Sequence, residues 1–155
     1  MKRFSSRYEK IRHLRAQQEG SCRAAAAARN AERAAVEERR DAAELWLAKV
    51  EQEATSGMSM GITGALLNSI ASQIDQAKQQ LKHANEVLRK AEVRLTQALH
   101  DFQQARAELK IVEEMIHREQ TEHRREQSRV EEHQLQEQSA QTFYRNMDLS
   151  RDNES

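Results

Sequence analysis

The sequence predicts an all-α fold: a long two-helix antiparallel coiled-coil hairpin whose second helix overhangs the first. Three observations predict it. The 155 residues are 37% hydrophobic, 32% charged and 4% aromatic, with Ala, Glu, Gln and Arg the commonest letters. Such chains favour long helices over a globular core, because large apolar side chains are too few to fill one. The net charge is zero, which argues against a disordered, self-repelling chain. The second observation is a heptad repeat in the middle of the chain. The third is that the chain has no proline and only four glycines, and three of them crowd into "TSGMSMGITG" at 55–64.

The first helix is expected at about 4–55. It opens with Phe4, Tyr8 and Ile11, continues through Cys22 and an alanine stripe at Ala28, Ala31, Ala35 and Ala42, and ends in Leu45, Trp46, Leu47 and Val50. On this pattern its register shifts near Gly20 and again near Glu38. Alanine buries little area, so this helix depends on its partner. The turn is expected at about 56–64, where Gly57, Gly61 and Gly64 permit positive φ, and Thr63 is placed to cap the next helix.

The second helix is expected at about 65–146. Leu67, Ile70, Ile74, Ala77, Leu81, Ala84, Leu88, Ala91, Leu95, Ala98, Phe102, Ala105, Leu109, Val112 and Ile116 alternate 3 and 4 apart without a slip. About seven heptads of apolar seam predict a coiled coil, and the small positions let a partner helix approach closely. Folding the chain near residue 60 sets Phe4 opposite residues near 116. The next stretch, His117 to Arg129, has no apolar residue and reads as an overhang with no partner in this chain. The paired part spans roughly 80 Å, with up to about 45 Å beyond it. Val130, Leu135, Ala140, Phe143, Tyr144 and Met147 make the end amphipathic again, which suits docking to another protein. Residues 1–149 thus form one hairpin, and 150–155 read as a disordered tail.

The chemistry of an enzyme is missing from the pattern. No phosphate loop, nucleophile elbow or dinucleotide fingerprint occurs. Of the histidines, only His123 with Glu119 offers a two-ligand face, short of the three or four ligands a zinc site needs. No catalytic, cofactor-binding or metal residue is assigned. Cys22 reads as a small buried hydrophobe, and one cysteine suits a reducing compartment. No segment reads as a membrane span or a secretory leader. Lys2, Arg3, Arg7, Lys10, Arg12 and Arg15, with Arg118, Arg124, Arg125 and Arg129, would make the open end basic. Glu119, Glu122 and Glu126 interrupt that charge and, with a pI near 7, argue against nucleic acid as the partner; an acidic protein socket or an anionic membrane surface fits as well. Trp46 either packs on the second helix or serves as an exposed binding anchor.

Three stretches resemble the flagellar type III export protein FliJ family, whose stalk architecture is shared with the injectisome YscO-type proteins. They are "RFSSRYEKIRHLRAQQE", "GMSMGITGALLNSIASQI" and "RREQSRVEEHQLQEQSAQTFYRN". The resemblance implies a non-enzymatic central stalk and general export chaperone. Its partners would be the hexameric export ATPase, the membrane export gate and export chaperones. It also implies a cytoplasmic protein, peripheral on the cytoplasmic face of the inner membrane and monomeric on its own. The ATPase-facing end would comprise Arg7, Arg12, Arg15, Arg124, Arg125, Arg129, Phe143 and Tyr144. The gate-facing end would comprise Leu45, Trp46, Leu66, Leu67, Ile70 and Ile74. The competing readings are the injectisome counterpart, a generic homodimeric coiled-coil scaffold and a nucleoid-associated coiled coil.

Overall fold

A computed structural model of the chain describes residues 3–61 and 63–152. Two helices account for nearly all of them: α1, Glu9–Ser59, and α2, Gly64–Asp152. No strand occurs among the described residues. The helices pack against each other antiparallel, as an all-α hairpin. Contacts divide the chain into two units, residues 16–107 and the residues up to Arg15 with those from Glu108 on.

In the 16–107 unit, α2 contributes the expected seam. Ala77, Ala91 and Ala105 are buried, and Ile70, Ile74, Leu81, Ala84, Leu88, Leu95, Ala98 and Phe102 are half-buried. Leu67 stays exposed, so the covered stripe starts one step later than the letters suggest. Alanines at every second seam position bring the backbones close. Arg94 reaches across to Glu32 at 2.9 Å, and the Arg23 guanidinium lies 5.8 Å from the Phe102 ring centre.

The seam of α1 differs from expectation. Ala28, Ala31, Ala35 and Ala42 are all exposed, and the register does not shift. One 4–3 pattern runs from Glu19 through Cys22, Ala26, Arg29, Arg33, Val36, Arg40, Ala43, Leu47, Val50 and Ala54 to Gly57. Of these, Glu19, Ala26, Val36, Val50 and Ala54 are buried. The apolar letters seemed to slip because charged residues hold several seam positions. Arginine tolerates this by laying its methylene stem on the partner and sending the guanidinium to the edge. There Arg33 meets Glu37 at 3.2 Å, and Arg40 meets Asp41 at 3.0 Å.

Of the three clustered glycines, only Gly61 adopts a positive φ, 77°. Gly57 lies within α1, and Gly64 begins α2. Gly61 donates its N–H to the Met58 carbonyl at 3.5 Å, as a left-handed residue does after a helix end. Thr63 holds the N-cap position of α2, its carbonyl accepting the Leu67 N–H at 3.0 Å. Gly61→Ala should therefore destabilise by about 1 kcal/mol, because a Cβ strains this conformation. Gly20 sits in a helical segment with open space where a Cβ would go, so Gly20→Ala should stabilise by about 0.5–1 kcal/mol. Chemical denaturation of the two variants checks the opposite signs.

At the other end of α2, Ser150 to Asp152 are helical, and the rest of the expected disordered tail, 153–155, lies outside the described residues.

Candidate interaction surfaces

The unit that holds the chain ends is closed by polar groups. α1 does not start at Phe4, because Ser6 makes a turn ahead of it. The Ser6 carbonyl accepts the Glu9 N–H at 3.3 Å, and its hydroxyl oxygen accepts the Tyr8 N–H at 3.1 Å. The same hydroxyl donates to Glu119 Oε2 of α2 at 2.5 Å, and Ser6 is buried. Arg7 Nε stands 3.1 Å from the other Glu119 oxygen, with its guanidinium 4.8 Å from the Tyr8 ring centre. The Phe4 ring lies 5.3 Å from the His123 ring. Arg15 and Glu108 pair at 2.6 Å. Val112 and Ile116 are the buried apolar residues beneath.

Two expectations are corrected here. Phe4 lies against His123, not near residue 116, and the stretch from His117 is not wholly without a partner. α1 continues to Ser59, so the reversal falls between Ser59 and Gly64, and each residue of α1 meets α2 further along. Glu119 and His123 then occupy the next two seam positions after Ile116. The 3–4 spacing was the available signal for this, and polarity hid it. From Ser128 to Asp152 every residue of α2 is exposed.

The residues assigned to the ATPase-facing end fall into two groups. Arg7 and Arg15 are held by Glu119 and Glu108 of α2, and Arg12 pairs with Glu9 at 2.9 Å. Arg124 and Arg125 are exposed and make no ion pair among the described residues, while Arg129 stands 4.0 Å from Glu126. Phe143 and Tyr144 are about two-thirds exposed and touch edge to face, ring centres 6.1 Å apart. They lie roughly 25 Å along α2 from Gln127, the last part-covered residue.

The gate-facing residues also separate. Leu66 and Leu67 are exposed on the first turn of α2, and Ile70 and Ile74 are seam residues. Leu45 and Trp46 sit about 20 Å along α1 from its end at Ser59, so they do not join the turn cluster. Leu45 points outward at 73% exposure, while Trp46 flanks the seam at 37%. Met58 and Met60, unassigned by the sequence reading, are exposed beside Leu66 and Leu67 and add to the apolar surface at the turn.

Glu32 ties the helices of the 16–107 unit together. Arg29 donates to it at 2.8 Å and Arg94 at 2.9 Å. The Arg29 hydrogen bond, then the charges of Arg29 and Arg94, hold its carboxyl below the usual carboxylate range. A folded-state pKa below the unfolded one adds stability that is present above the unfolded value. That stability is lost as pH falls through the folded value. Wild-type stability should therefore decline more steeply than that of Glu32→Gln on the acid side of the carboxylate range, and match its slope at neutral pH. Denaturation midpoints across pH would show this.

No helix among the described residues is long and apolar enough to cross a membrane. A family model described as Flagellar FliJ protein matches residues 4–148. No curated protein and no solved structure matches the chain.

Proposed function

The chain belongs to the flagellar FliJ family, and from that membership we propose that it is a non-enzymatic central-stalk and general export-chaperone component of the flagellar type III export apparatus. The single observation that carries this beyond the family is the form of the terminal unit. A closed helix pair leads into a bare helical extension, residues 128–152, that bears arginine and an aromatic pair. Such an extension suits insertion into a ring, with the hexameric export ATPase as the partner. Arg124, Arg125, Arg129, Phe143 and Tyr144 are the contacts we favour, with Arg7, Arg12 and Arg15 shaping the closed part.

The turn surface of Met58, Met60, Leu66 and Leu67 is the side we assign to the membrane export gate, with Leu45 and Trp46 as a separate contact further down α1. Ile70 and Ile74 support that surface from the seam. Export chaperones complete the partners. The working location is the cytoplasmic face of the inner membrane. The flagellar description of the matching family favours this system over the injectisome and over a generic scaffold.

The test is binding to the purified export ATPase, read by ring assembly and co-sedimentation. Phe143→Ala/Tyr144→Ala should weaken binding by about 30-fold, as loss of an aromatic hot spot does. Both residues are exposed, so helicity should be retained. Equal binding by variant and wild type would remove the aromatic pair from the interface, and no binding by wild type would end the stalk reading.

A further inference from the structure

The stripe that α2 presents to α1 does not stop where its cover stops. Its 3–4 spacing runs on in phase from Ile116, Glu119 and His123 to Glu126, Val130, His133, Glu137, Ala140, Tyr144, Met147 and Arg151. Val130 is 48% exposed, Met147 50% and Tyr144 67%. The interface already made between the two helices therefore continues as an open face. An open stripe on an otherwise polar helix gains stability from a partner.

We infer that a second copy of this chain covers the face, its segment 126–151 lying antiparallel on the first. With Val130 set across from the second copy's Met147, each step is complementary. Glu126 meets Arg151, Val130 meets Met147, His133 meets Tyr144 and Glu137 meets Ala140, each pairing occurring twice about the two-fold axis. The outer layer joins opposite charges and the next joins apolar side chains. The third brings a tyrosine hydroxyl to the His133–Glu137 pair, whose nitrogen and oxygen stand 3.6 Å apart. Phe143, Met147 and Ser150 line a shallow groove that receives the second copy's Val130.

Other arrangements are worse. A parallel pair stacks Glu126, His133 and Glu137 each on its own copy. Sliding the antiparallel pair by one heptad either drives the second copy's Met147 onto His123, which Phe4 already covers, or sets Glu137 on Met147 and His133 against Arg151. The seam of the hairpin closes within one chain, so this pairing involves the extensions alone and does not depend on the export reading. Tyr144 belongs to both surfaces, so a chain paired through its extension does not offer that residue to a ring.

The test uses full-length chains carrying Cys22→Ser and either Val130→Cys or Met147→Cys. In the inferred pair these two positions face each other. The two copies of position 130 are separated by about 25 Å along the axis, far outside disulfide reach. Oxidation of an equal mixture should yield a cross-linked dimer containing one of each chain, and neither variant alone should cross-link. The unmodified chain should sediment as a dimer that dissociates on dilution, and Tyr144→Glu/Met147→Glu should shift it to monomer with its helical circular dichroism intact. Cross-linking of either variant alone, absence of the mixed dimer, a wild-type monomer at every concentration, or a dimer insensitive to the two glutamates would each overturn the inference.

Discussion

Ala91→Glu should weaken the pairing of the helices in the 16–107 unit more than any other single substitution. Ala91 is 2% exposed and lies one turn before Arg94, whose guanidinium is in contact with Glu32 of α1. The helices are close enough at this level that a longer side chain has no room. A glutamate there must either force the helices apart or bury a charge, and the effective cost is about 3–5 kcal/mol. For a chain of this size that lowers the melting temperature by roughly 10 °C or more. A graded series separates the two causes. Ala91→Ser should cost least, Ala91→Leu about 1–3 kcal/mol by overpacking, and Ala91→Glu most. Thermal melts followed at the helical dichroism band would show this order. If leucine and glutamate proved as mild as serine, the close approach of the helices at Ala91 would be wrong.

That close approach was legible in the letters of α2, where large residues alternate with alanine and nothing polar interrupts the seam until Glu119. The seam of α1 was not legible. Arg29, Arg33 and Arg40 occupy positions that a count of apolar residues skips, and the count then settles on Ala28, Ala31, Ala35 and Ala42, which face solvent. A helix with charged seam residues is read correctly only against its partner, because a count of apolar letters passes over an arginine whose methylene stem can pack. The reversal was legible from its glycines. Only Gly61 needs the freedom glycine gives, and φ is not written in composition. The exposed aromatic pair at Phe143 and Tyr144 could be anticipated, since the extension runs past the length of α1. The polar closure at Ser6, Arg7 and Glu119 could not, because it depends on which residues the turn sets opposite one another. That Leu45 and Trp46 lie apart from Leu66 and Leu67 was not legible for a related reason: all are apolar, but a helix places them turns apart.

Glu119→Ala should release the N-terminal segment from α2 while leaving the 16–107 unit intact. The carboxylate holds two groups of unequal weight. Arg7 is three-quarters exposed at its side chain, so its ion pair contributes under about 1 kcal/mol. Ser6 is buried, and losing its acceptor leaves a hydroxyl without a partner, which costs about 1–3 kcal/mol. The serine contact should dominate, and Glu119→Gln, which keeps an acceptor but not the charge, should recover most of the loss. Ser6→Ala in the Glu119→Ala background should then add little, because the double change removes both partners. Amide hydrogen exchange is the direct readout. Protection of the first turns of α1, from Glu9 to Arg15, should fall in Glu119→Ala, while the amides around Val36 and Ala91 keep theirs. With the segment released, α2 is uncovered back to Ile116, lengthening the bare extension by roughly 17 Å. On the proposed function this enlarges the surface offered to a ring, so ATPase binding should not weaken in this variant as it does on loss of Phe143 and Tyr144. Unchanged protection in Glu119→Ala would mean that the Phe4–His123 contact and the apolar residues beneath hold the segment without the polar pair.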